Sequence, residues 1–388
     1  MLTSYHLVSA AASEVAMATL LEHFDNLPDP RVDRTKRHSL RDIIALTILA
    51  VIGGAENFVE VVEFGRAKEA WFLTFLELPH GIPSHDTLGR VFARLDPKAF
   101  QERFMAWVGS IREQIGGDVI AIDGKSVRRS VDGARGLGPI HLVGAWAARS
   151  RLMLGQVKTS EKSNEITAIP ELLELLDLGG CIVTIDAMGC QKAIAAKIVE
   201  RGGDYVLQLR DNHPTLAGLV EDFFEDGINS NFAGMRSDFH EETTKEHDRN
   251  EVRRTWTSPD LEWLPESEEW LGMKSLICVE ARREVLGKQE SLHRRYYISS
   301  LSNPPARQAA HIVRSHWGIE NQMHWVLDVA FHEDDARVRL GHSAENFATI
   351  RRIALNLLKQ ETSRKVGVKT KRMRAGWDNE YLLKVIGG

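Results

Sequence analysis

At 388 residues the chain has room for two or three domains, and 43% hydrophobic with 27% charged residues excludes wholesale disorder. A formal net charge of −5 excludes a uniformly basic nucleic-acid binder, so any such role needs basic residues gathered on one face. Cys181, Cys190 and Cys278 form no CxxC pair and no metal-ligand spacing, which leaves them as small buried side chains of a reduced compartment.

The opening MLTSYHLVSAAASEVAMATLLEHF carries no basic n-region, and the longest apolar run, Ile43 to Gly54, is too short to span a bilayer. The expectation is a soluble, cytoplasmic protein with no membrane segment. Residues 1–115 read as an all-helical N-terminal domain. After PDPRVDRTKRHS, Leu40 to Ile52 is an almost continuously apolar helix, with further helices around Ala55 to Leu76 and Pro97 to Ile115. Between them, GIPSHDTLGRVFARLD offers Ser84 as an N-cap before Leu88, Val91, Phe92 and Leu95 at helical spacing. A short helix behind a Gly/Pro turn fits either the second helix of a helix-turn-helix or plain helical packing.

From residue 116 the pattern changes. Residues 118–123 read as a buried strand, and HLVGAWAARS and RLMLGQVKTS as two strands joined near Ser150. A helix follows across Ile169 to Leu178, with Pro170 in its first turn. CIVTIDAMGC is a further buried strand, QKAIAAKIVERGG a helix closed by Gly202, and DYVLQLRDN another strand. This order predicts an α/β fold with a mixed sheet rather than a repeating βαβ ladder. Residues 232–302, with KEHDRNEVRRTW, SLICVEARREV and HRRYYISSL, read as a β-rich insertion. Long helices at Ala306 to Trp325 and Ser343 to Gln360 complete a domain over 116–362. Residues 363–388 read as a basic C-terminal tail, with Arg364, Lys365, Lys369, Lys371, Arg372 and Arg374.

Two strands of this sheet end alike, VIAIDGK on Asp123 and IVTIDAMG on Asp186. One such Asp is usually a turn or cap residue. Two side by side repel each other, and a hard divalent cation such as Mg²⁺ supplies the missing compensation. Gly124-Lys125-Ser126 closes half of a phosphate-loop pattern, but Val119 stands where that pattern needs Gly. A third acid has candidates in RSHWGIENQMHWVLDVAFHEDD: Glu320, Asp328, Glu333, Asp334 and Asp335. Glu320 stands among Trp317, Ile319 and Trp325 on an amphipathic helix, an odd place for an acid unless it faces a site. The later acids read as solvated. His316, His324 and His332 recur every eight residues, which drifts around a helix and makes no shared zinc site.

Together, AIDGKSVRRS, TIDAMGCQ, YVLQLRDNHP, HDRNEVRR, YYISSL and HWGIENQMHWVLDVAFHEDDARVR resemble the RNase H-like DDE transposases. Within them the likeness is to the IS4-type branch, and most closely to the ISAs1 family, which includes the H-repeat-associated proteins. FDNLPDPRVDRTKRHSLRDII and PSHDTLGRVF resemble that family's leading helical region, so the resemblance runs from about residue 20 to 360. It implies an RNase H-like core in which Asp123, Asp186 and Glu320 are the catalytic acids and hold two Mg²⁺ (or Mn²⁺) ions. It also implies a transposase that binds the inverted repeats of an insertion sequence as double-stranded DNA and cuts and joins strands. Such an enzyme works as a homo-oligomer on that DNA, at the nucleoid. A non-catalytic DNA-binding relative, and a nuclease that cuts without joining, are the alternative readings.

The IS4-type arrangement of Tyr and Arg ahead of the Glu and Lys behind it is not kept. Val313, His316 and Leu327 occupy those places, leaving Arg314 and His316 or His324 as substitutes. Expected phosphate contacts are Lys125, Arg128 and Arg129 behind the first acid, Lys245, Arg249, Arg253 and Arg254 in the insertion, Arg314, and the basic tail. Gly124 is expected to leave room beside the metal. Trp146 and Trp256 read as core side chains or as platforms for a flipped base.

Overall fold

Leu40–Ile52 is apolar on every face, which suits a helix enclosed on every side. It forms α1, capped by the Ser39 hydroxyl, which accepts from the Asp42 amide at 2.9 Å, and only Arg41 of its residues reaches solvent. The computed structural model of the chain describes residues 17–111, 117–131, 138–159, 165–210, 212–246, 249–285 and 290–387. After α1 come α2 (Phe58–Ala67), α3 (His85–Arg94) and α4 (Pro97–Ile111). Ser84 caps α3 as its sequence predicts, accepting from the Thr87 amide at 3.3 Å, and Leu88, Val91 and Phe92 are buried.

The apolar run Val119–Ile122 shows no alternation, as expected of a strand covered on both faces, and it opens β1 (Val119–Ser126). Strands β2 (His141–Ala147) and β3 (Leu152–Thr159) follow as an antiparallel meander. The helix α5 (Glu165–Leu175) starts earlier than expected, so Pro170 lies inside it rather than in its first turn. β4 (Ile182–Ile185), α6 (Lys192–Glu200) and β5 (Asp204–Leu209) then place two parallel strands beyond β1. α7 (Pro214–Asn229) leads into β6 (Asp238–Glu246), β7 (Arg249–Ser258), β8 (Ser275–Val285) and β9 (Ser291–Ser299). These four strands are no separate lobe. β9 pairs antiparallel with β5, so all of the described strands form one nine-stranded sheet ordered β3-β2-β1-β4-β5-β9-β8-β7-β6.

Helix α8 (Ala306–Gly318) crosses this sheet. Ala309, Ile312 and Val313 on it close an apolar cluster with Val119, Ile182, Val206, Ile277 and Val279 of the strands. A π-helical segment, Ile319–His324, leads to α9 (Trp325–Phe331). The long α10 (Ser343–Gln360), largely buried, packs on α1, α3, α4 and β3 and so joins the helical region to the sheet.

The expected basic tail is folded. It forms α11 (Val368–Trp377) and α12 (Asn379–Gly387), with Lys371 and Arg372 buried. Arg372 donates to the carbonyls of Val51 (2.8 Å), Ala55 (3.3 Å) and Ala330, closing the C-terminal end of α1. Those two charges serve packing and are closed to DNA phosphate. The three cysteines are free and buried, and among the described residues no helix is long and apolar enough to cross a membrane.

Candidate active site

β1 and β4 run parallel with Ile122 beside Ile185, so Asp123 and Asp186, the next residue of each, stand side by side. Side chains alternate along a strand, which puts Ala121, Asp123 and Lys125 on one face with Thr184 and Asp186. That face lies under α8, where Thr184 Oγ1 meets His316 Nδ1 at 3.1 Å. At the end of α8 the π turn brings Glu320 and His324 over Asp123. His324 Nδ1 is 3.5 Å from Asp123 Oδ2 and 3.6 Å from Glu320 Oε2, and ligand atoms of all three lie within 4.8 Å of one another. Such π turns are rare and gather at functional sites. Asp186 stands outside this tight group. Its Oδ1 accepts from the amides of Met188 (3.1 Å) and Gly189 (3.4 Å), and its charge still acts on Asp123.

The electrostatics follow from this crowding. Burial first, then the bond to Glu320 and its charge, push the Asp123 carboxyl up to about 8. Glu320 is half-exposed and held down at about 2, chiefly by its contact with His324. Two carboxylates this close do not both ionise without a cation, so they hold one proton between them. Carboxylate oxygens pointed at a common position, with an imidazole beside them, fit a divalent metal ion.

Gly124 serves the opposite face of β1. A Cβ there would fall 2.3 Å from Glu165 Oε1 and 2.5 Å from His141 Nε2. His141 links Glu165 (2.6 Å) to Ser126 (2.8 Å). The glycine therefore leaves room for this buried chain rather than for the metal.

Several expected site residues prove to be engaged elsewhere. Lys125 is buried with its ammonium on Asp328 at 2.6 and 2.7 Å and 3.6 Å from Asp334, so Asp328 faces Lys125 rather than Asp123. Arg128 reaches Asp334 (3.2 Å), Arg129 reaches Asp335 (3.6 Å) and Arg314 reaches Glu242 (3.5 Å). In the insertion, Arg253 meets Glu251 (2.7 Å) and Arg254 meets Glu241 (2.7 Å) and Glu280 (3.4 Å). Lys245 is exposed, and Arg249 lies in β7 with its side chain outside the described residues. Lys125, Arg128, Arg129, Arg253, Arg254 and Arg314 of the expected phosphate track are thus each matched with a carboxylate of the same chain.

Glu333, expected in solvent, is fully buried against Arg352 and 3.8 Å from Arg351. Trp146 and Trp256 are buried, so neither offers a face to a base. His324 is the neighbour of these two acids that the sequence does not single out. Its signal was the spacing from Glu320, since residues four apart share a helix face.

A family profile described as Transposase DDE domain matches residues 114–357. The chain belongs to this transposase family. A second profile, described as DDE_Tnp_1-associated, matches residues 21–108 of this transposase-family chain. The "H repeat-associated putative transposase YhhI" of Escherichia coli (strain K12) is 40% identical over 95% of this chain and 98% of its own. The "Putative transposase YncI" of Escherichia coli O157:H7 is 40% identical over 96% and 95%. An "Uncharacterized protein in dhlA 3'region" of Xanthobacter autotrophicus is 46% identical over 73% of this chain and 94% of its own. Among solved structures, a piggyBac transposase synaptic complex with hairpin DNA covers 96% of this chain and 79% of its own, at 11% identity and a TM-score of 0.39.

Proposed function

We propose that this member of the family is an RNase H-like DDE transposase of the ISAs1 branch. It binds the ends of an insertion sequence as double-stranded DNA and performs metal-dependent strand cleavage and strand transfer as a homo-oligomer on that DNA. The observation that carries this reading is that Asp123 and Asp186 directly follow the in-register pair Ile122 and Ile185 on adjacent parallel strands, with Glu320 brought over Asp123 by the helix that crosses the sheet.

Asp123, Asp186 and Glu320 would hold Mg²⁺ or Mn²⁺, two ions in all. Such ions, when bound, lower the pKa of an attacking water or 3′-hydroxyl and offset the charge that builds at phosphorus. The chain's own groups prepare the ground. Asp186 is oriented in advance by the Met188 and Gly189 amides, and Asp123 is fixed by a strand rather than a loop. Lys125, pinned by Asp328, braces the end of β1 against α9. Arg128, Arg129 and Arg314 sit in exposed ion pairs, which are weak enough for DNA phosphates to replace the carboxylates.

The test uses the purified chain, Mg²⁺, labelled DNA ends carrying the inverted repeats, and target DNA. Cleavage with joining is expected. Binding alone would point to the non-catalytic relative, and cleavage alone to the nuclease. Asp123→Asn or Asp186→Asn should slow cleavage by at least about a hundredfold while end binding stays within about twofold, because these acids hold metal rather than DNA. A wild-type rate in either variant would reject the site.

A further inference from the structure

The feature of this site that carboxylate chemistry leaves unexplained is His324. It is buried, 6% exposed, at the one place where Asp123 and Glu320 converge. Its Nδ1 lies 3.5 and 3.6 Å from their oxygens, beyond the usual range of a hydrogen bond. Its Nε2 is buried with no hydrogen-bond partner among the described residues. Burying an imidazole so poorly partnered is unfavourable, and buried polar groups of this kind need an explanation. An ion beside Nδ1 supplies one for that nitrogen. A divalent ion about 2.1 Å from each of two ligands sets those ligands roughly 3 to 3.4 Å apart, close to the spacings seen here. Glu320 and His324 come from one π turn and Asp123 from the strand beneath, so three ligand atoms approach a single position from two rigid elements.

We infer that His324 is a direct ligand of the metal held by Asp123 and Glu320, which makes this a mixed oxygen and nitrogen site. This rests on the reading of Asp123 and Glu320 as metal ligands and adds to it a choice of ion. Mg²⁺ favours sites made of oxygen alone, whereas imidazole raises affinity for first-row transition ions. The site therefore takes Mn²⁺ or Co²⁺ in preference to Mg²⁺. The π turn has a purpose on this account, since it presents Glu320 and His324 together above Asp123.

Mn²⁺ binding to the full chain without DNA tests this directly. Binding is followed by loss of the free-ion electron paramagnetic resonance signal, and pulsed spectra read out any directly coordinated nitrogen. Wild-type protein should bind Mn²⁺ with a nitrogen coupling. His324→Ala and His324→Gln should lose that coupling and weaken Mn²⁺ binding about tenfold or more, with a smaller change for Mg²⁺. Metal-free thermal melts and circular dichroism of both variants establish that they fold, and the Gln variant keeps most of the side-chain volume. Mn²⁺ bound to wild type without coordinated nitrogen, or a coupling that survives in both variants, would overturn the role of His324 and leave the carboxylate site standing. Mn²⁺ bound equally well by Asp123→Asn, or no Mn²⁺ bound by wild type, would overturn both.

Discussion

Asp123 holds its proton up to about pH 8 in the folded chain, against an ordinary value of 3.8, because it is buried beside Glu320. A group that binds its proton more tightly when folded stabilises the fold below about pH 4 and loses that contribution as pH rises toward 8. Glu320 runs the other way. Held near 2, its contribution is present above its ordinary 4.5 and is lost only as pH falls toward 2. Metal-free melts should therefore show Tm drifting down between about pH 5 and 8.5, and Asp123→Asn should flatten the drift. Identical slopes in the two proteins would refute this. Gly124→Ala drives a methyl into Glu165 and His141 and should cost about 1–3 kcal/mol in denaturant unfolding, with no direct effect on the metal ligands. These residues differed in how legible they were. Asp123 and Asp186 announced themselves as carboxylates closing apolar runs, and Glu320 as an acid among aromatics. The partner of Lys125 did not, because Asp328 lies 203 residues away in sequence.

Among the elements, β1, β4 and β5 could be read from short, mostly apolar runs, and α3 from its cap and periodicity. The π segment could not, since nothing in IENQMH separates it from the helix on either side. Its extra width depends on where α8 and α9 are held by the sheet and by α10. The loop after α9 departs from its local pattern for a related reason. Glu333 followed by two aspartates looks like a solvated turn, yet α10 returns over it and supplies Arg352 and Arg351. Removing the one acid would strand two buried guanidinium groups, and Arg351 already rests on the Phe347 ring and the Glu56 carbonyl. Glu333→Gln should cost about 3–5 kcal/mol in equilibrium unfolding, far more than Asp335→Asn at the exposed end of the same turn. Similar losses in both would contradict the burial argument.

Over the whole molecule, the C-terminal helices pack back on the end of α1. Residues expected to trail as a basic tail instead close α1, with Arg372 donating to Val51, Ala55 and Ala330 and lying 4.2 Å from the Phe331 ring. Removing residues 363–388 should lower Tm by several degrees or prevent folding. Arg372→Lys should recover little of the stability lost in Arg372→Ala, because an ammonium cannot span three carbonyls as a guanidinium does. A truncated chain with unchanged Tm but weaker DNA binding would restore the tail reading. The sequence by itself determined the order of elements, the α/β class and the carboxylates that end two strands, since each is written in local apolar periodicity and in what interrupts it. Tertiary structure alone decided that the insertion extends the same sheet, that Lys125, Arg128, Arg129, Arg253, Arg254 and Arg314 find acids of their own chain, and that His324 stands beside Asp123. Those outcomes depend on contacts between residues far apart in sequence, and local pattern carries no information about which distant strand, helix end or charge a segment will meet.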